Sequence, residues 1–126
     1  MKLLLDSHLL LWWPTGSGRL GREAAALIEA EESELFMSAA SWWELGIKRS
    51  LGKLAIDIGI ARRGLQQRGV TMLPVTGEHA ESATALPAFH GDPFDHMLVA
   101  QAICEGMTLL TRDAKLKRYG PNVLCT

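Results

Sequence analysis

Lys2-Leu3-Leu4-Leu5-Asp6-Ser7 is a short apolar run that ends on a carboxylate. A run of this length predicts a buried β-strand over residues 2–5. Similar runs recur further along the chain, and stretches of helical composition separate them. The predicted strands are 2–5, 34–37, 70–75, 107–110 and 122–124, and the predicted helices are 22–30, 41–51, 56–68, 79–86 and 93–105, the last ended by Gly106.

Strands that alternate with helices indicate βαβ units and a mostly parallel sheet covered on both faces. The fold class predicted is therefore α/β, with a sheet of about five strands flanked by helices. A chain of 126 residues and 13.8 kDa fits one domain, 1–126. A composition of 48% hydrophobic and 21% charged residues excludes a disordered or fibrous chain.

No apolar run approaches the roughly 18 residues that a membrane span requires. The first residues begin like a signal peptide, but Asp6 interrupts the apolar region. Cys104 and Cys125 are too few for a disulfide framework and lack metal-ligand spacing. We therefore expect a cytoplasmic protein with no membrane partner.

Four carboxylates follow predicted strands or begin the helices after them: Asp6, Glu44, Asp95 and Asp113. In open parallel sheets, ligands bind beyond the carboxyl ends of the strands. We therefore expect these four groups to converge at one edge of the sheet.

A purely structural interpretation exists for three of them. Ser41 and Glu44 have the spacing of a capping box, and Asp92 and Asp95 have the spacing of an N-cap and its N3 residue. Asp113 can cap a short helix that follows it. Asp6 resists this interpretation, because a carboxylate at the end of a buried strand needs a partner.

Converging carboxylates repel one another, which raises their pKa values and destabilises the fold. A divalent cation removes this conflict. Oxygen ligands without His or Cys spacing favour Mg²⁺, or Mn²⁺ as a substitute, over Zn²⁺.

The chain resembles a PIN domain, and specifically the VapC ribonuclease toxins of type II toxin–antitoxin pairs. Four segments in the expected order carry the resemblance, and together they span nearly the whole chain. They are Leu4-Leu5-Asp6-Ser7-His8-Leu9-Leu10-Leu11-Trp12-Trp13, Ser38-Ala39-Ala40-Ser41-Trp42-Trp43-Glu44-Leu45-Gly46-Ile47-Lys48 followed by Gly52-Lys53-Leu54, Leu86 to Ala102, and Leu109-Leu110-Thr111-Arg112-Asp113.

The resemblance implies a Mg²⁺-dependent endoribonuclease whose metal site is formed by Asp6, Glu44, Asp95 and Asp113. Glu44 either binds the metal or orients and deprotonates the attacking water. Ser7 and Thr111 are candidate supporting hydroxyls, with a simple strand-end hydrogen bond as the alternative. Asp92 is closer to a helix cap than to a ligand. His96 departs from the family, in which close relatives often carry Arg, and this puts in doubt any role for a guanidinium there.

The charged residues are segregated although the net charge is only -1. Residues 45–72 hold six Lys or Arg and one acid, whereas residues 23–34 hold five Glu and no base. A phosphate backbone requires such basic contacts. Lys48, Arg112 and Lys115 are the candidate RNA-binding residues, and a solvated helix face is the alternative for each.

The paired tryptophans Trp12-Trp13 and Trp42-Trp43 cannot all point into one core, since helix neighbours lie about 100° apart. They form either a broad buried face or a protein interface. The resemblance implies two partners, a second copy of the chain and a cognate antitoxin. The alternatives are an RNA-processing nuclease outside a toxin pair and an inactive binding module. For His8, His90 and His96 we expect packing or substrate contact, and for His79 a surface position.

Overall fold

The computed structural model describes residues 1–89 and 91–126, so His90 lies outside the described part. Its strands form one five-stranded sheet in the order β3-β2-β1-β4-β5, and every pairing is parallel. The strands are β1 Lys2–Leu5, β2 Glu34–Ser38, β3 Thr71–Leu73, β4 Thr108–Thr111 and β5 Val123–Cys125. The predicted α/β class with a parallel sheet of about five strands is confirmed.

The central strand β1 is buried on both faces. Leu3, Leu4 and Leu5 have no exposed surface, and neither do Leu109 and Leu110 on β4. Because successive side chains of a strand point to opposite faces, Leu3 and Leu5 pack in one apolar cluster and Leu4 in another. This double burial explains why the run lacks polar alternation.

Six α-helices and two 3-10 helices cover the sheet in the described residues. The α-helices are α1 Ser7–Thr15, α2 Arg22–Glu29, α3 Ala39–Ser50, α4 Ile58–Gln67, α5 Gly77–Ala85 and α6 Pro93–Glu105, and the 3-10 helices are Gly18–Leu20 and Ala114–Tyr119. The sequence does not predict α1, because the uninterrupted apolar run of this helix shows no helical periodicity. A glycine ends α1, and Gly16 adopts the left-handed conformation that suits a helix C-terminus.

The predicted capping box at the start of α3 is wrong. The helix begins three residues earlier than the box requires, and Ser38 is its N-cap, with Oγ accepting a hydrogen bond from the Ala40 amide at 3.0 Å. Ser41 is buried inside the helix. Glu44 therefore lies in the second turn of α3 and has no capping role, which removes the structural explanation offered for it.

The prediction that His79 lies on the surface is also wrong. Its side chain is buried at the third position of α5, where Nδ1 accepts from the Thr76 amide at 3.0 Å. The proton therefore resides on Nε2, which donates to Glu105 at the end of α6, 3.0 Å away. His79 thus ties the beginning of α5 to the end of α6, a contact between distant residues that spacing does not reveal.

Two other caps agree with the sequence. Asp92 is the N-cap of α6 and accepts from the amides of Phe94 and Asp95, and Asp113 caps the second 3-10 helix by accepting from the Lys115 amide. No helix within the described residues is long and apolar enough to cross a bilayer.

Candidate active site at the carboxyl edge of the sheet

The parallel sheet brings two of the predicted carboxylates to one edge. β1 and β4 are neighbours with Leu5 opposite Leu110, so the residues after both strands emerge side by side. The Asp6 amide continues this pairing by donating to the Leu110 carbonyl at 3.1 Å. Asp6 therefore stands at the carboxyl end of the central strand, where open α/β sheets bind ligands.

The Asp6 carboxylate is buried, with 6% of the residue exposed. Thr111 Oγ1 donates to its Oδ2 at 2.6 Å. Burial raises the pKa of Asp6 above its usual value, although the hydrogen bond from Thr111 and the nearby His8 oppose this. The negative charge of Glu44 adds to the increase, so two carboxylates lie close enough to repel each other.

Glu44 reaches this edge from α3, and each of its carboxylate oxygens has a partner. Ser7 Oγ donates to Oε1 at 2.8 Å, and Lys48 Nζ lies 3.4 Å from Oε2. Ser7 is buried beside Asp6, and Lys48 follows Glu44 by one helical turn. These contacts hold Glu44 with only 13% of its side chain exposed.

Thr111 joins Asp113 to the same network. Its hydroxyl accepts from the Asp113 amide at 3.0 Å while it donates to Asp6. The side chain of Asp113 itself accepts from the Lys115 amide, as the N-cap of the following 3-10 helix. The backbone of Asp113 is thereby fixed next to Asp6, and its carboxylate serves as a cap.

Asp95 lies in the first turn of α6. Its helix runs back toward the start of β4, so the first turn lies at the carboxyl edge of the sheet. There the ring of Phe94 makes an edge contact with the ring of Trp43, with centroids 5.5 Å apart. Trp43 directly precedes Glu44 in the chain. Asp92 caps the helix, as the sequence predicted, and is not joined to Asp6 by any hydrogen bond described.

The structure thus links Asp6, Glu44 and Asp113 through Ser7 and Thr111, and Asp95 lies in the first turn of α6. Among residues 1–89 and 91–126, no three His, Cys, Asp or Glu side chains are arranged to hold a metal ion. The four-carboxylate metal site therefore stays a prediction. The chemistry of these side chains fits such a site. A cation that prefers oxygen ligands would offset the repulsion between the buried Asp6 carboxylate and the carboxylate of Glu44.

A groove next to this site is a feature that sequence analysis missed. It is a cavity of about 770 Å³ between α1, α3 and α4, which we call the α1–α4 groove. Its walls are mainly apolar, with cationic side chains at intervals. The groove could not be foreseen because α1 was not, although the spacing of His8 and Trp12 by four residues was a usable signal of a helix.

Comparison with known proteins identifies the family. The family model for the PIN domain matches residues 3–121, which is most of the chain. The chain belongs to the PIN-domain family. Within that family it is 36% identical over 120 residues to Ribonuclease VapC22 of Mycobacterium tuberculosis (strain ATCC 25618 / H37Rv), covering 93% of this chain and 91% of that protein.

Solved structures with low sequence identity share the fold of this PIN domain. A toxin–antitoxin complex from Klebsiella pneumoniae is 18% identical, with a TM-score of 0.69 and coverage of 97% of this chain and 95% of that one. VapBC2 from Rickettsia felis, bound to a DNA fragment from its promoter, is 16% identical, with a TM-score of 0.70 and coverage of 100% and 98%. VapBC-1 from nontypeable Haemophilus influenzae is 18% identical, with a TM-score of 0.60 and coverage of 94% and 92%.

The three candidate RNA-binding residues of this PIN domain differ in how far their side chains are held by contacts within the protein. Arg112 Nη1 donates to the Thr126 carbonyl at 3.0 Å, and its guanidinium lies against Gly21, where an added Cβ would stand 2.7 Å from Nη1. Lys115 is exposed. Lys48 is partly exposed to solvent and contacts the Glu44 carboxylate.

The raised pKa of Asp6 gives a prediction about stability without divalent cations. The folded state binds the Asp6 proton more tightly than the unfolded state, so stability falls as pH rises through the window between the unfolded pKa of about 3.8 and the raised folded pKa. Asp6→Asn removes the titrating group, so the variant does not lose this stability as the pH rises. At pH 7 in EDTA, its melting temperature should exceed that of the wild type by an amount on the order of a few °C.

Asp57→Asn is the matched control for this measurement. Asp57 is exposed at the N-cap of α4, and its hydrogen bond from the Ile60 amide lowers its pKa. Its replacement should therefore leave the melting temperature at pH 7 unchanged or lower it. A lower melting temperature for Asp6→Asn than for wild type at pH 7 would contradict the account of Asp6.

Proposed function

We propose that this protein is a divalent-cation-dependent endoribonuclease that acts as the toxin of a type II toxin–antitoxin pair. The observation that carries the proposal is the buried Asp6 carboxylate at the carboxyl end of the central strand, held by Thr111 beside Glu44. This arrangement occurs in a PIN domain that is 36% identical to a protein named Ribonuclease VapC22. VapC nucleases of the PIN family are metal-dependent.

Asp6, Glu44, Asp95 and Asp113 are the residues proposed to hold the cation, and Mg²⁺ is the ion proposed, with Mn²⁺ as a substitute. When bound, such an ion polarises the scissile phosphate and lowers the pKa of a coordinated water. Thr111 fixes the direction of the Asp6 carboxylate, and Ser7 fixes that of Glu44. Asp113 uses Oδ1 to accept from the Lys115 amide, so its Oδ2 is the oxygen proposed to face the cation.

Glu44 is held in a way that suits either of two roles. Its Oε1 is fixed by the buried Ser7 hydroxyl, whereas its Oε2 contacts the half-exposed Lys48. A substrate phosphate competes with Glu44 for Lys48, because both are anions. The oxygen released in this way can bind the cation, or it can orient and deprotonate the attacking water.

RNA is the proposed substrate, and the basic side chains near the carboxylates are the proposed contacts to its backbone. Lys48 contacts Glu44, while Arg112 and Lys115 flank Asp113 in the chain. Such contacts fix the position of a phosphate backbone without reading its sequence. The salt dependence of RNA binding is therefore expected to be strong.

The cleavage assay uses purified protein freed of any bound partner, with single-stranded RNA and Mg²⁺ or Mn²⁺. Wild type should cleave internally, and EDTA should stop cleavage. Asp6→Asn should lower the rate by at least about 100-fold, since the cation contributes several kcal/mol to the transition state. Asp57→Asn makes the same chemical change away from the site and should keep nearly full activity. Cleavage by Asp6→Asn in EDTA at the wild-type rate would refute the proposal.

A cognate antitoxin is the first protein partner proposed. The support is that the three solved structures of similar fold are described as a toxin–antitoxin complex, VapBC2 and VapBC-1. A toxin of this kind is held inactive by its partner, so the partner must be removed before activity is measured.

A second copy of the chain is the other partner proposed. An apolar patch lies at the starts of α3 and α6 and is formed by Ala39, Ala40, Trp43, Val75, Pro93, Phe94 and Met97. Trp43 leaves 68% of its surface exposed and Val75 41%, whereas Trp42 is buried. A continuous apolar patch suits the self-complementary interface of a twofold dimer, in which aromatic residues contribute most of the energy.

The dimer is tested by sedimentation equilibrium of Trp43→Glu, with Leu51→Glu as the control. Leu51 is a similarly exposed hydrophobic residue, 63% accessible, at the other end of α3. Trp43→Glu should weaken association at least about 30-fold, as expected for a buried aromatic residue at the centre of an interface. Leu51→Glu should leave association unchanged. Equal association constants for the two variants would contradict the proposal that the apolar patch forms the dimer interface.

A further inference from the structure

The α1–α4 groove carries a uniform charge. Four cationic side chains line it, namely Arg19, Lys48, Lys53 and Arg68, and none of the described lining residues is acidic. This is unusual in a chain whose acids and bases nearly balance, at 14 and 13. A groove with this lining attracts a polyanion.

The groove is also continuous with the candidate active site. Lys48 lines it and at the same time contacts Glu44 at 3.4 Å. His8 lines it as well, and it lies in the first turn of α1, the helix that has Asp6 as its N-cap. A chain whose phosphate lies at the carboxylates therefore has its neighbouring nucleotides at the mouth of the groove.

A stacked pair of rings stands at this junction. The imidazole of His8 lies over the indole of Trp12, with centroids 5.2 Å apart and planes inclined by 15°. The two residues occupy successive turns of α1. Trp12 is half-buried and packs against the core, so it supports the ring of His8, which is exposed.

We propose that the His8–Trp12 pair is a nucleobase platform, on which one base of a single-stranded RNA stacks beside the scissile phosphate while the cationic rim contacts its backbone. The inference rests on the proposed ribonuclease function and adds a residue that holds a nucleobase next to the cut. Single-stranded RNA is recognised by bases stacked on aromatic and histidine rings, combined with basic side chains along the backbone.

An RNA occupant accounts for the position of the rings better than a peptide does. A peptide segment would use the apolar walls of the groove but would not require flat rings stacked parallel at the end nearest the carboxylates. A nucleobase is joined to its own phosphate by only a few bonds, so a phosphate at the carboxylates places its base close to them. A flat ring at that position gives the base a surface on which to stack.

The test measures RNA binding without cleavage, in EDTA, by fluorescence anisotropy. Two labelled probes of equal length and charge are compared: a strand of twelve adenylates and a fully abasic strand of twelve ribose phosphates. Wild type should bind the adenylate strand about tenfold more tightly than the abasic strand, within the range known for one base stacked on an aromatic side chain. His8→Ala should reduce this ratio to nearly one by weakening only the adenylate complex.

Two further variants separate stacking from charge. His8→Phe keeps a flat ring and should keep most of the preference for the adenylate strand. Lys53→Ala removes a charge from the rim and should weaken the binding of both probes by the same factor. Because His8 and Lys53 are exposed, these variants are expected to fold normally.

A ratio that stays at its wild-type value in His8→Ala would overturn the platform. If RNA is still cleaved with Mg²⁺ in that case, the ribonuclease proposal stands and only the platform fails. Absence of both binding and cleavage in wild type would overturn both. An unchanged ratio combined with weaker binding of the antitoxin by His8→Ala would assign the groove to a protein partner instead.

Discussion

The buried carboxylate of Asp6 is the constraint on which the rest of the site depends. It is fixed at the end of the central strand by the pairing of its own amide with β4 and by the hydroxyl of Thr111. The parallel order of the sheet brings the ends of β1 and β4 together, and this alone places Asp6 beside the segment that carries Asp113. A charge in this position destabilises the fold unless something compensates for it.

The neighbouring residues compensate for the charge only in part. Ser7 and Lys48 each hold one oxygen of Glu44, yet Glu44 still raises the pKa of Asp6. A structure selected only for stability would replace one of these acids with a neutral residue. Retaining both, at a site where open α/β sheets bind ligands, is typical of a functional site that lowers stability for the sake of chemistry.

Much of the fold follows from local sequence. The buried strands, Asp92 and Asp113 as caps, and Gly106 at the end of α6 all depend on residues within a few positions of one another, and all were predicted. The position of Asp6 at the carboxyl edge also follows, because alternating strands and helices imply parallel strands, whose carboxyl ends lie at one edge of the sheet. The features that failed depend on contacts between distant residues.

The start of α3 shows why such failures occur. Ser38 and Ser41 are both chemically able to cap. Ser38 is selected because it is the last residue of β2, where it pairs with Leu73 of β3, so the helix begins directly after it. His79 is similar, since its burial requires Glu105, 26 residues away. The apolar run of α1 shows no helical periodicity, and the four-residue spacing of His8 and Trp12 is its only local indication of a helix. Without α1, neither the groove nor the stacked rings beside the carboxylates could be foreseen.

Cation binding measured apart from any RNA tests the central claim most directly. Isothermal titration of the metal-free protein with Mn²⁺ should reveal saturable binding that Asp6→Asn abolishes. Thr111→Val, which keeps the shape but loses the hydroxyl, should weaken binding roughly 10- to 100-fold, as expected for a residue that orients a ligand. Equal Mn²⁺ affinity in wild type and Asp6→Asn would contradict the claim that the carboxyl edge of this sheet holds a cation through Asp6.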